Sequence, residues 1–215
     1  MTINTPKDPT PKWLKWAREL RSLGQAGLTY TENLFDRERY ERLIEMSAEI
    51  VAEHEDLDKA KVLASFRAQK GYATPKVSVR GAVVRDEKIL LVQERTDGLW
   101  ALPGGWADVG EGPRSVLERE VWEEANLKVE AGKLVGLYDV NRSGRPLELF
   151  HAYKLVFICT TTDDSIPSPG NETLAAQYYS LSDLPCLSTN RTTVRELEDI
   201  FTHLRNPELP THVDY

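Results

Sequence analysis

The hydrophobic periodicity of the chain changes at Thr74-Pro75, and that change constrains the fold more than any other feature. Before it, apolar residues recur at helical spacing. Trp13, Trp16, Ala17 and Leu20 fall at i, i+3, i+4 and i+7 and predict a helix from Lys12 to about Leu23, with Gly24 and Gly27 marking its end. Asp36 is the expected N-cap of a second helix over 37–53, with Tyr40, Leu43, Ile44, Ser47, Ile50 and Val51 on one face. A third helix is expected at 57–70, stopping at Gly71. After the break, "VSVRGAVVRD" and "KILLVQER" read as strands joined in a hairpin at Asp86-Glu87. Further strands are expected at "LWALP", "KLVGLYDV", "FHAYKLVFICTTT" and "AAQYYSL", and helical patterns return at 113–125 and 190–204. Strands interrupted by two helices predict an α+β fold, a mixed α/β/α sandwich, carrying a small all-helical N-terminal domain. The expected boundaries are 1–72 for the helical domain, 73–205 for the sandwich and 206–215 for a short tail.

The formal charge of −7 is unevenly placed. Residues 1–72 hold 12 basic and 12 acidic side chains, so the whole excess lies in the remaining 15 basic and 22 acidic groups of the second part. Such a domain lacks the clustered Lys and Arg that nucleic-acid binding requires, and no stable nucleic-acid partner is expected. If it handles phosphates, it needs a cation to offset the repulsion. No apolar run reaches the roughly 18 residues of a membrane span, and the opening stretch has no apolar h-region. Cys159 and Cys186 make neither a disulfide framework nor a metal spacing. A cytoplasmic setting is the expectation.

Residues 104–127, "GGWADVGEGPRSVLEREVWEEANL", crowd Glu120, Glu123 and Glu124 near the end of an expected helix. Gly112-Pro113 suits a helix start, and Asn126 suits a left-handed cap at its end. Leu117, Val121 and Ala125 form a core stripe, and the three glutamates fall on the adjacent stripe. Like charges at i, i+4 and acids in the last helical turn cost about 0.3–1 kcal/mol each. Composition alone allows a solvated acidic face. A local violation of this kind also marks functional sites, and converging carboxylates would bind a hard divalent cation through oxygen.

The spacing decides between them. The stretch resembles the signature of the Nudix hydrolases, G-x5-E-x7-R-E-U-x-E-E-x-G-U, where U is a bulky aliphatic residue. Gly105, Glu111, Arg119, Glu120, Val121, Glu123, Glu124 and Leu127 match it, and only Asn126 departs, standing where the signature has Gly. The likeness extends over 75–205. Residues 12–70, with "GQAGLTYTENLFDRERYERL", resemble the helical N-terminal extension of a Nudix subfamily linked to CDP-choline or ADP-ribose type pyrophosphates.

The resemblance implies a metal-dependent pyrophosphohydrolase that cleaves a nucleoside diphosphate linked to another moiety into a nucleoside monophosphate and a phosphorylated product. Glu120, Glu123 and Glu124 would hold Mg²⁺ or Mn²⁺, with the Gly105 carbonyl as a backbone ligand. Glu111 and Arg119 would keep loop and helix in register, unless Arg119 is an ordinary surface arginine. The general base is either a box glutamate such as Glu120 or an acid from a later loop. Glu172, in "SPGNETL", is the candidate outside the box and equally fits a solvated loop residue. Arg142 and Arg145 in "NRSGRP" fit either a phosphate clamp or a solvated turn. Trp100 and Trp106 flank the box; Trp100 reads as core, Trp106 as a base-stacking candidate. His151, Cys159 and Cys186 read as structural. The next proline after the box is Pro146, 19 residues past Leu127, whereas ADP-ribose pyrophosphatases of the family carry one at about 15–16, so ADP-ribose is not indicated by that marker.

Two other classes stand beside this reading. A hydrolase of other nucleotides or RNA ends would use the same box. A non-catalytic Nudix ligand-sensing regulator would show a degraded box and a C-terminal winged helix, and neither is present in the sequence. Trp13, Trp16, Tyr30, Phe35 and Tyr40 supply more aromatic area than three short helices bury by themselves. A homodimer is expected, the alternative being packing onto the chain's own second domain.

Overall fold

The computed structural model describes residues 10–140 and 150–214. They divide into two compact units, one over 10–75 with 150–151, the other over 76–140 and 152–214. No helix among them is long and apolar enough to cross a membrane.

The first unit holds α1 (Lys12–Tyr30), α2 (Leu34–Glu55) and α3 (Lys59–Arg67). α1 does not stop at its glycines. A Cβ on Gly24 would lie 2.7 Å from the Tyr40 carbonyl oxygen, and one on Gly27 would lie 2.4 Å from the Tyr40 ring. These glycines mark where α1 crosses α2, and the packing they permit outweighs a helix-propensity cost of about 1 kcal/mol each. At that interface Ser47 donates its hydroxyl to the Ala17 carbonyl at 2.6 Å. The buried face runs through Leu14 and Ala17, and Trp16, expected on it, is exposed. α2 begins before the expected Asp36 cap. Asn33 is the N-cap, its Oδ1 accepting the Phe35 amide at 2.9 Å and the Asp36 amide at 3.3 Å. Asp36 instead sits in the first turn, where its charge favours the helix dipole. α3 is shorter than expected because Asp58 caps it, accepting the Lys61 amide at 2.9 Å.

The second unit is a mixed sheet between two helices. β1 (Lys76–Arg85) and β2 (Lys88–Glu94) meet in the expected hairpin, where Asp86 and Glu87 take φ of 49° and 57°. Two consecutive positive φ values make a turn whose twist matches that of the strands. β3 (Trp100–Ala101), β4 (Val129–Asp139), β5 (Ala152–Thr161), β6 (Thr173–Tyr179) and β7 (His212–Val213) complete the sheet, in the order β3-β2-β1-β5-β4-β7 with β6 on the other edge of β2. β1 and β5 are parallel, while β4 and β5 are antiparallel. Thus β7 forms inside the segment expected to be a tail, pairing with β4 through His212 and Val213.

α4 (Pro113–Ala125) covers one face and α5 (Val194–Arg205) the other. Leu90 and Val92 of β2 pack with Leu117, Val121 and Ala125 of α4; Ile89 and Leu91 pack with Leu197 and Ile200 of α5. A strand buried on both faces is apolar throughout, which is why "ILLV" shows no alternation. α5 starts later than the 190 expected, at a capping box in which the Thr193 side chain accepts the Glu196 amide and Glu196 accepts that of Thr193. The sequence "TVRE" carried that signal.

Candidate active site

Past the hairpin β1 parts from β2, and β3 takes its place beside β2. The first half of β1 is lined instead by the start of the glycine-acid segment. Gly81 donates to Pro103 O at 2.8 Å, Val79 to Gly105 O at 2.9 Å, and Ala107 to Val77 O at 2.9 Å. Gly104 makes this possible. Its φ is 138°, and a Cβ there would lie 2.1 Å from the Val79 carbonyl oxygen. A cleft of about 500 Å³ opens where the two strands separate.

Glu94, Asp108, Glu120, Glu124 and Glu172 line that cleft together with Arg80, Lys154 and Arg191. Gly105 and Trp106 border it as well. Glu120 approaches Gly105 so closely that a Cβ on the glycine would lie 2.8 Å from the carboxylate. Trp106 is half exposed, its ring 5.7 Å from Lys76 Nζ.

Glu124 is buried, not on a solvated stripe. Burial pushes its carboxyl up to about 7, opposed first by the nearby Arg80 charge and then by the Gly104 amide; repulsion from Glu120 is the smallest contribution. The like-charge penalty expected from helical spacing is therefore minor beside desolvation. Glu120 is also raised, by desolvation, against the pull of Arg119. Two carboxylates held out of water with incomplete compensation fit a hard divalent cation such as Mg²⁺ or Mn²⁺, which prefers oxygen ligands.

Arg119 ties the segment together. It reaches Glu111 at 3.1 Å, Asp108 at 3.2 Å, Glu120 at 3.0 Å and Glu123 at 3.1 Å. The Glu111 hydrogen bond, chiefly, raises its guanidinium above the ordinary value. Glu123 is half exposed, turned to Arg119 and outside the cleft lining. Among the described residues no three His, Cys, Asp or Glu side chains form a ready metal shell; Glu123 accepts from Arg119 and Glu124 from the Gly104 amide. The Gly105 carbonyl accepts the Val79 amide, leaving one lone pair for a ligand role. Arg142 and Arg145 lie outside the described residues. Trp100 packs edge-on against Tyr179, centroids 4.9 Å apart, as a core residue does. Cys159 is buried, and burial pushes its thiol up to about 12; Cys186 is exposed.

The basic residues of the cleft were not read from the sequence. Arg80 is buried, donates Nη1 to Leu102 O at 2.9 Å, and has no hydrogen-bond partner at Nε among the described residues. Lys154 pairs with the buried Glu196 at 3.5 Å and donates to Arg191 O. Arg191 pairs with Glu94 at 3.2 Å and Asp97 at 2.9 Å. One signal existed: Arg80 and Lys154 each interrupt an otherwise apolar strand, in "VSVRGAVV" and "AYKLVF". A cation at such a position is rarely buried without a partner.

Comparison with known proteins covers most of the chain. A family model described as UDP-X-like, N-terminal oligomerisation domain matches residues 11–66, and the NUDIX domain model matches residues 75–200. Over 203 residues the chain is 38% identical to YjhB of Bacillus subtilis (strain 168), provisionally named an ADP-ribose pyrophosphatase, covering 94% of this chain and 97% of that one. A crystal structure described as UDP-X diphosphatase is 32% identical, with 94% of this chain and 98% of that chain covered and a TM-score of 0.61. An ADP-ribose pyrophosphatase structure from Streptococcus suis 89-1591 is 37% identical, covering 66% of this chain and 100% of that chain, with a TM-score of 0.60. The chain belongs to the Nudix hydrolases, as a pyrophosphohydrolase acting on phosphoanhydride bonds.

Proposed function

We propose that the enzyme hydrolyses a nucleoside diphosphate linked to a second moiety, of the UDP-X, ADP-ribose or CDP-choline type, with Mg²⁺ or Mn²⁺. The observation that carries this reading is the cleft itself, whose lining brings Glu120, Glu124 and Glu172 together with Arg80, Lys154 and Arg191. Such a mixed lining suits a bound cation at the carboxylates and a diphosphate that meets the basic groups. The names of relatives that align over nearly the full length support the substrate class.

Water adds across the P–O–P bond: its oxygen joins one phosphorus, and the other phosphate leaves with the bridging oxygen. When bound, a divalent cation would supply charge screening for the diphosphate and a lowered pKa for the attacking water. Glu120 and Glu124 would hold it, with the second lone pair of the Gly105 carbonyl. Glu172 would take the proton of the water. Arg80 and Arg191 would supply cationic groups to the phosphate oxygens, and Trp106 at the rim would offer a ring face to the base. The exposed Trp16, Tyr30 and Phe35 of the helical unit would meet a second copy, in line with the oligomerisation domain matched there.

A panel of UDP-sugars, ADP-ribose, CDP-choline, NADH and dNTPs tests the reading, with products resolved by chromatography. The expected products are a nucleoside monophosphate and a phosphorylated moiety, in Mg²⁺ or Mn²⁺ only. Equal turnover in chelator would overturn it.

A further inference from the structure

The one box residue that departs from the Nudix signature is the one whose side chain grips the Glu172 loop. Asn126 takes φ of 52° at the end of α4. A glycine would adopt that conformation as easily, yet would have nothing to offer beyond it. The Asn126 amide nitrogen lies 3.2 Å from Ser168 O, 3.2 Å from Ser168 Oγ and 3.0 Å from Pro169 O.

The backbone of the same loop closes over the helix end. Ser168 donates to Ala125 O at 3.0 Å, and Gly170 to Glu124 O at 3.2 Å. Thr173 Oγ1 donates to the same Glu124 carbonyl at 2.7 Å and accepts the Gly170 amide at 2.9 Å. The fit leaves no room at Gly170, where a Cβ would lie 1.6 Å from Glu123 O. Arg95 holds the far side, donating to Asn171 O and Thr173 O at 3.1 Å each. Helix-end carbonyls are orphans that water or another group must satisfy, and here the loop satisfies them. The loop is thus bonded to the same turn that carries Glu123 and Glu124, and Glu172 leaves it into the cleft.

We infer that Asn126 is a positioning residue, a latch that keeps the Glu172 loop in register with the glutamate-bearing end of α4. Resting on the reading of Glu172 as base, it explains how this chain tolerates the departure from its signature. The asparagine keeps the glycine-like backbone and adds a side-chain tie to the loop. A base displaced by about 1 Å loses up to roughly 100-fold in rate. The latch therefore acts on turnover, not on substrate binding.

Asn126→Gly keeps the backbone conformation and removes the tie, so the variant is expected to fold. Two measurements read it. In hydrogen exchange the Ser168 and Gly170 amides should exchange at least about 10-fold faster than in the parent, with β1 and β5 unchanged. In steady-state kinetics kcat should fall on the order of 10-fold, with KM and the Mg²⁺ requirement within about twofold. In a Glu172→Gln background the same substitution should lower kcat by less than about twofold, because the group it positions is already gone. Unchanged exchange at Ser168 and Gly170 overturns the latch whatever the kinetics show. An equal kcat loss in both backgrounds overturns the positioning of Glu172. If Glu172→Gln alone keeps full turnover, the base assignment falls and the catalytic role of the latch with it, while the exchange result still shows whether Asn126 holds the loop.

Discussion

Glu124 Oε2 accepts the Gly104 backbone amide at 2.8 Å, joining the two ends of the signature segment across 20 residues of chain. The bond fixes a buried carboxylate at the mouth of a glycine turn. It also explains why this acid, out of water, remains in place without a full ion pair. Its cost is set by desolvation, and that cost has a measurable pH signature.

In chelator the folded protein should lose stability as pH rises from about 4.5 to about 7. The Glu124 carboxyl sits at about 7 in the fold, above its ordinary value, so between the two the native state binds more protons than the unfolded chain. The contribution is fully present at lower pH and gone above the folded value, on the order of 3 kcal/mol in all. Glu120 shifts in the same direction. Urea midpoints at pH 5 and pH 8 should show the loss in the parent and a much smaller one in Glu124→Gln. Mg²⁺ should restore stability at pH 8 in the parent only. Glu124→Gln should also lower turnover by orders of magnitude; full activity would remove Glu124 from the metal site.

Arg80→Met should destabilise the protein by about 3–5 kcal/mol at pH 8, since it strips the counter-charge from a buried acid. At pH 5 the penalty should shrink, because Glu124 is then protonated. Equilibrium unfolding of parent and variant at both pH values measures the difference. A pH-independent loss would mean that Arg80 acts by packing alone.

The two tryptophans beside the segment should separate cleanly. Trp106 is half exposed at the cleft rim, so Trp106→Ala should raise KM about 10-fold with the melting temperature nearly unchanged. Trp100 packs in the core against Tyr179, so Trp100→Ala should cost about 3–5 kcal/mol of stability. Kinetics and thermal melts on the pair would expose a reversed assignment at once.

Light scattering should give about twice the 24.4 kDa chain mass. Trp16→Glu with Phe35→Glu places charge on two exposed aromatic positions of the helical unit and should yield a monomer that retains its helical signal. A parent that is monomeric at micromolar concentration would exclude the proposed homodimer.

Much of this protein was legible one residue at a time. The hairpin at Asp86-Glu87, the start of α4 at Pro113 and its left-handed cap at Asn126 follow from local backbone preference, which needs no partner. The signature spacing identified the acidic segment because which side chains share one helix face is a matter of short-range periodicity. Where the local signal and the packing disagreed, the packing won: Gly24 and Gly27 carry α1 through a helix crossing that depends on Tyr40, many residues away.

Other properties depended on which distant segments meet. Glu124 was legible in the sequence as a candidate metal ligand but not as a buried acid, and its burial comes from Gly104, Arg80 and the loop before β6 closing around it. The cleft's basic residues Arg80, Lys154 and Arg191 come from β1, β5 and the turn before α5, three places with no common motif. The physical reason is one of range. Backbone conformation and face periodicity are set within a few neighbouring residues, whereas desolvation and the field that shifts a carboxyl are set by everything within about 10 Å, wherever it lies in the chain.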